Sequence, residues 1–195
     1  MNQVHRPTLT IFSGLPGTGK SALADRLARA LRWPVLRIDD VAGEVPEDAG
    51  YRFWNEKILV LLTIVEEQLK LGVSVIADSV FMGADRVQAQ EMAMRHDANF
   101  RPIYCFVSDE KIWEKRVIER LEGDLGSGVA DWEQIQHQRQ WFTPLQAGTG
   151  LFVDAIESVE RNYASVLEFV LSPNPSLKSI RVEAHVASGN YHQYL

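Results

Sequence analysis

The chain has 195 residues, 46% of them hydrophobic and 24% charged, with a net charge of −6 and a pI near 5.4. That length holds one domain with a single sizeable core and excludes two full enzyme domains, and the composition excludes a disordered or fibrous chain. An acidic balance exerts no general pull on a phosphate polymer, so a long nucleic-acid footprint is disfavoured while a local basic cleft stays open.

In chain order, Thr8-Leu9-Thr10-Ile11-Phe12 reads as a first strand running into the glycine-rich segment Gly14 to Gly19. A helix follows from Lys20 to about Leu31, with Leu23, Leu27 and Leu31 along one face. Trp33-Pro34 breaks it, and Val35 to Ile38 forms a second strand that ends at Asp39-Asp40. Gly43 to Gly50 contains Pro46 and several acids and reads as a loop or a loop opening a helix. The next helix spans about Phe53 to Leu71 and stops at Gly72. Its most apolar part, Ile58 to Val65, runs straight into Glu66-Glu67 and is too short to cross a bilayer.

Val73 to Ala77 is the third strand, reaching Asp78, and a helix from about Ala84 to His96 leads to a fourth strand, Arg101 to Val107. That strand contains the single cysteine, Cys105, whose apolar neighbours read as a buried site rather than a reactive thiol. With no disulfide framework and no apolar leader before Gly14, the expectation is a cytoplasmic protein with no membrane partner. A charged helix from Asp109 to Glu122, a glycine-containing loop to Val129, and a helix from about Asp131 to Gln140 come next. Leu151 to Asp154 is the fifth strand, followed by a helix from about Ser158 to Leu171. In the tail, Ile180, Val182, Ala184 and Val186 alternate with polar residues, which suggests one more strand, on the sheet edge or paired with a second copy in a homodimer. Strands alternating with helices predict a three-layer α/β/α fold around a mostly parallel five-stranded sheet.

Gly14-Leu15-Pro16-Gly17-Thr18-Gly19-Lys20-Ser21 matches G-x-x-x-x-G-K-[ST] in full, between a strand and a helix. In such a loop the backbone N–H groups converge on phosphate oxygens, and the helix that it opens adds its positive dipole end. Lys20 then meets the β and γ phosphates of ATP, and the Ser21 hydroxyl ligates Mg²⁺. No N-K-x-D guanine-reading motif occurs, and there is little room for the added helical domain of a mechanical ATPase. A kinase needs an acid for the acceptor, an acid near Mg²⁺, and an arginine-bearing lid.

Each requirement has a candidate. Asp39, with Asp40 as alternative, follows the second strand and suits a general base, although either acid also suits a helix cap. Asp78 ends the third strand where an acid reaches Mg²⁺, unless it and Ser79 merely cap a turn. Arg116 and Arg120 share one helix face, and Arg120 stands just before Gly123 and the Gly126-Ser127-Gly128 segment, where a lid could hinge. Glu114, Glu119 and Glu122 offer these arginines surface partners instead. Arg139 is a weaker lid candidate.

The order G-L-P-G-T-G-K-S, I-D-D, A-D-S-V-F, W-x-x-R-x-x-x-R, Q-x-x-x-F-x-P and a late V-D resembles a family of small P-loop kinases. That family includes polynucleotide kinase, chloramphenicol phosphotransferase and zeta toxin, and the resemblance covers about Thr8 to Val170. It implies Asp39 as the catalytic acid and Arg120 as the lid arginine. It also implies Gln138 to Pro144 as the segment leaving the lid, and Val153-Asp154 near the adenine. A kinase-like domain over residues 1–171, with its lid at about 116–142, and an extension over 172–195 follow from the two readings together.

The acceptor pocket is expected between the second and third strands, with Tyr51, Arg52, Trp54 and Arg86 as candidates, Tyr51 and Trp54 being equally suited to the core. The expected activity is transfer of the γ-phosphate of ATP to a hydroxyl of a small-molecule acceptor. The alternatives are an ATP-binding regulatory protein without kinase activity and a kinase of nucleic-acid 5′ ends.

Overall fold

Five apolar strands line up in parallel, and the helices between them pack on the two faces of the sheet that results. The computed structural model describes residues 6–42, 50–123 and 130–173. Its elements are β1 (Thr8–Ser13), α1 (Lys20–Leu31), β2 (Val35–Arg37), α2 (Ile38–Ala42), α3 (Gly50–Lys70) and β3 (Val75–Asp78). They continue with α4 (Gly83–Arg95), β4 (Asn99–Phe106), α5 (Glu110–Gly123), α6 (Trp132–Trp141), β5 (Leu151–Asp154) and α7 (Val159–Leu171). The strand order is β2-β3-β1-β4-β5, and all four pairings are parallel. The tail expected to add a strand and the Gly126–Gly128 hinge lie outside the described residues.

Burial on both faces explains why the central strands read as unbroken apolar runs. On one face, Ile58, Leu61, Leu62, Val65 and Leu69 of α3 pack with Ala89, Met92 and Ala93 of α4 against Leu9, Ile11 and Val75. On the other, Leu23, Ala24 and Leu27 of α1 meet Val166, Phe169 and Val170 of α7 over Phe12, Ile76 and Ile103. A third cluster joins Leu15 to Tyr104, Phe106 and Phe152 at the carboxyl ends of β4 and β5, beneath Trp113 and Val117 of α5 and Ile135 of α6.

The chain leaves β1 for α1 on one face and leaves β3 for α4 on the other, so the gap between these neighbouring strands is the topological switch point. Ligand crevices of open α/β sheets form there, outside the carboxyl ends of the strands.

Two boundaries differ from those expected. The second strand stops at Arg37, and Asp39 and Asp40 stand in the first turn of the short helix α2. Carboxylates are favoured in a first turn, where unpaired amides leave positive charge. The third strand begins at Val75, because Val73 still donates its N–H to Gln68 O (3.0 Å) and closes the end of α3. The adjacent Ser74 Oγ accepts from Thr8 N (3.0 Å), tying that turn to the start of β1.

Candidate active site

The segment after β1 is shaped by its glycines. Gly14 has φ 132°, and a Cβ there would lie 2.1 Å from the carbonyl oxygen of Cys105, so a side chain has no place. Gly17 has φ 78°, and its Cβ would meet Val117 Cγ2 at 2.9 Å and Trp113 Nε1 at 3.1 Å. Gly14 N donates to Val80 O (3.1 Å) and Ser79 N donates to Phe12 O (3.2 Å), which binds the loop to the segment after β3. Thr18 Oγ1 (2.8 Å) and Lys20 Nζ (2.9 Å) both donate to Leu15 O, so Lys20 arches back across the loop. Gly19 caps α1 without a side chain, leaving the amides of the first turn for an anion. Leu15 packs into the third core cluster and Pro16 exposes its carbonyl to Trp113, so these two residues build the cradle through backbone and packing.

Parallel registry brings the charged groups to this cradle. Asp78 is level with Phe12 of β1 on one side and with Arg37 of β2 on the other. Its carboxyl is buried and approached by Arg37 Nε at 3.6 Å from Oδ2, and the Ser21 hydroxyl favours its charged form. Oδ2 is buried without a hydrogen-bond partner.

Burial pushes the Asp78 pKa above its ordinary value, against the pull of Lys20, Ser21 and Arg37 and with a further push from the charge of Asp39. Burial likewise lowers the pKa of Lys20, opposed by Asp78, Cys105 and Asp39 and assisted by the positive charge of Arg120. Lys20 thus feels the charges of Asp78, Asp39 and Arg120, and Asp78 those of Lys20, Arg37 and Asp39. The thiol of Cys105, pushed up to about 12 chiefly by burial, stays protonated and inert beneath the loop.

Asp39 and Asp40 part company here. Arg37 pairs with Asp25 and lies 3.5 Å from Asp40 Oδ2, so Asp40 is held on the flank of α2. Asp39 is exposed, and its charge acts on both Lys20 and Asp78. Arg37 went unnoticed as a site residue in the sequence. Only the β2–β3 register shows it to be the cation beside Asp78.

Other expectations change. Arg86 is buried and donates to Phe81 O (2.9 Å), Thr143 O (2.7 Å) and Pro144 O (3.0 Å). It therefore clamps the start of α4 to the chain leaving α6, with its guanidinium engaged by three backbone carbonyls. Its hold on Phe81 O also steadies a residue at φ 43°, a left-handed conformation that costs a bulky side chain about 1–2 kcal/mol. Trp54 packs against the α3–α4 core, and its indole N–H faces Asp85 without completing a hydrogen bond. The side chains of Tyr51 and Arg52 lie outside the described residues. Arg139 pairs with Glu110 (3.1 Å) and lies over Trp113, so it braces α6 against α5. Asp154 Oδ1 accepts from Ser108 N (3.1 Å) and Ile156 N (3.2 Å), which brings Ala155 to the rim beside Gly19.

The residues present fit a metal–nucleotide complex. A side chain at Gly19 would meet nothing nearer than Ala155 Cβ at 3.8 Å, so there is room beside the start of α1. Asp78 Oδ2, which has no hydrogen-bond partner, and the Ser21 hydroxyl are oxygen ligands suited to a hard cation. Among the described residues no group of three or more His, Cys, Asp or Glu could hold a metal with protein ligands alone. One or two protein oxygens completed by phosphate is the way Mg²⁺ binds in such sites.

The raised Asp78 pKa carries a stability signature. Its contribution is fully present below the unfolded value of 3.8 and is lost as pH rises through the higher folded value. Replacing Asp78 by asparagine is therefore expected to raise the unfolding temperature of the ligand-free protein more at neutral pH than in acid. Thermal melts of both proteins across that range check this, and a difference independent of pH would contradict it.

A glycine cradle opening a helix at the switch point of a parallel sheet, with an acid from the adjacent strand beneath it, defines a P-loop NTPase. A family model described as an AAA domain matches residues 9–145. The chain belongs to this family.

A gluconokinase from Sinorhizobium meliloti superposes with a TM-score of 0.61 at 15% identity, over 83% of this chain and 90% of that one. The APS kinase CysC of Mycobacterium tuberculosis, in complex with AMPPNP and APS, gives 0.59 at 19%, over 83% and 96%. Kti12 of Chaetomium thermophilum, in complex with ADP-AlF3, gives 0.64 at 13%, over 84% and 100%. No curated protein matches the sequence. No helix among the described residues is long and apolar enough to cross a membrane.

Proposed function

We propose that this protein is an ATP-dependent phosphotransferase that moves the γ-phosphate to a hydroxyl of a small-molecule acceptor. The observation that supports this reading is geometric: Lys20 arches back across the glycine cradle, Asp78 ends the strand beside it, and the exposed Asp39 stands in the first turn of α2, directly after the strand that neighbours Asp78. Nucleotide binding alone calls for the cradle and Lys20. A second exposed carboxylate on α2, acting on the same lysine, is what an acceptor requires.

In this mechanism the loop amides and Lys20 bind the phosphate chain, and Ser21 and Asp78 hold Mg²⁺. Bound there, the cation would neutralise phosphate charge and orient the chain for displacement. Asp39 accepts the proton of the acceptor hydroxyl as its oxygen bonds to the γ-phosphorus, while the bond from that phosphorus to the β,γ-bridging oxygen breaks and ADP leaves. Arg120, carried by the lid helix α5, faces the charge that develops on the transferring group and adds to that of Lys20. The net charge of −6 argues against a long nucleic-acid track to Asp39 and supports a compact acceptor.

The test is Mg²⁺-dependent ATP turnover against a panel of antibiotics, sugars, nucleosides and oligonucleotide 5′ ends. Turnover stimulated by one small acceptor and lost in Lys20→Ala is the expected result. Stimulation by oligonucleotide ends alone would transfer the assignment to a nucleic-acid kinase. ATP binding with no acceptor-dependent turnover across a broad panel would favour a regulatory ATP-binding protein.

A further inference from the structure

Trp113 has no part in the chemistry above, yet it touches the phosphate loop, the lid helix and α6 at once. It is buried on α5, and its indole Nε1 donates to Pro16 O at 2.9 Å. The same ring, with Val117 one turn further on, forms the floor under Gly17. Trp132 of α6 meets it edge-on at 5.1 Å, so the indole is held in place from behind. Seven residues further along the same helix stands Arg120, whose charge reaches Lys20.

The peptide plane gives this contact a consequence. In a trans peptide the carbonyl and the following N–H point in opposite directions. Holding the Pro16 carbonyl toward α5 therefore turns the Gly17 N–H away from α5, toward the concave side of the loop. With φ at 78°, Gly17 has the freedom to let this peptide flip, and a flipped carbonyl would present its negative end to an anion.

We propose that Trp113 is a positioning residue that locks the Pro16–Gly17 peptide with the Gly17 N–H facing a bound polyphosphate, and seats α5, and with it Arg120, on that loop. The inference rests on the cradle holding a nucleotide, as proposed above. It assigns to one indole the coupling between an occupied phosphate loop and the position of the lid helix.

Trp113→Phe keeps an aromatic ring and removes the N–H. In the full-length protein it is expected to weaken ADP and inorganic tripolyphosphate alike by about tenfold, which corresponds to about 1.4 kcal/mol. Both affinities are measured by calorimetry. A role in packing alone would change the melting temperature and leave tripolyphosphate affinity within twofold of the parent value, and that outcome would overturn the proposal.

If the phenylalanine variant does not fold, Trp113→His retains a ring donor and Trp113→Leu lacks one. Tripolyphosphate should bind the histidine variant more tightly, and equal binding would count against the proposal. A wild-type protein that binds neither ADP nor tripolyphosphate would overturn the nucleotide reading itself. Wild-type binding that Trp113→Phe matches would remove only the role assigned to Trp113.

Discussion

Asp39→Ala is expected to slow phosphoryl transfer by about 10²–10⁴-fold, the usual contribution of a positioned general base, with ATP affinity unchanged. The separation of the two effects follows from where the carboxylate stands. Asp39 is exposed on the first turn of α2, and it acts on Lys20 and Asp78 through charge. Among the described residues no hydrogen bond of the loop runs to Asp39, so removing it takes away a proton acceptor and one nearby charge and leaves the packing of the cradle in place. Asp40→Ala should cost far less, because Asp40 is engaged with Arg37 on the flank of the helix. Single-turnover kinetics with the acceptor found in the panel, beside ATP titrations, measure both quantities. Near wild-type transfer by Asp39→Ala would remove it as the base. A matching loss of ATP affinity would make it a nucleotide ligand instead.

Lys20→Met should abolish most activity and yet leave the ligand-free protein at least as stable as the parent. Lys20 is buried, its ammonium donates to Leu15 O, and burial lowers its pKa against the pull of Asp78. Folding thus carries the cost of desolvating a charge whose purpose lies with a bound anion. Methionine fills similar space without that cost. The loss in turnover should be about 10²–10³-fold, the scale seen when one charge-stabilising donor is removed from a transition state. The melting temperature without nucleotide should hold or rise, while the shift produced by added ADP should shrink. A large fall in the ligand-free melting temperature would mean that the Lys20–Leu15 bond and the attraction to Asp78 outweigh desolvation.

Much of the site was legible in advance because phosphate binding constrains a contiguous stretch. Gly14 to Ser21 form one loop and the start of one helix, so their roles follow from spacing and from the strand before them. The place of Asp78 at the carboxyl end of the third strand was legible for a related reason, since an apolar run that closes on an acid marks a buried strand and its end.

Arg37, Trp113 and Arg86 were not legible in this way. Arg37 gains its meaning from the β2–β3 register, which sets it beside Asp78 from a strand forty residues earlier. Trp113 appeared in the sequence only as one letter of a short pattern, and its contact with Pro16 spans 97 positions. Arg86 looked available to an acceptor because a lone arginine after a strand gives no sign of the three carbonyls that occupy it. The choice between Asp39 and Asp40 has the same character. Adjacent acids look alike until one is paired.

By itself the sequence determined the strand–helix alternation, the parallel α/β class, the phosphate cradle and the lysine and serine that serve it. These depend on local spacing, glycine conformation and hydrophobic period, all of which act over a few residues. Tertiary structure decided which of the remaining charged groups meet. It set Arg37 beside Asp78, held Asp40 with Arg37, turned Arg86 into a clamp and set Trp113 beneath the loop. Those outcomes depend on strand order and register, which bring distant segments within the few ångströms over which hydrogen bonds and buried charges act.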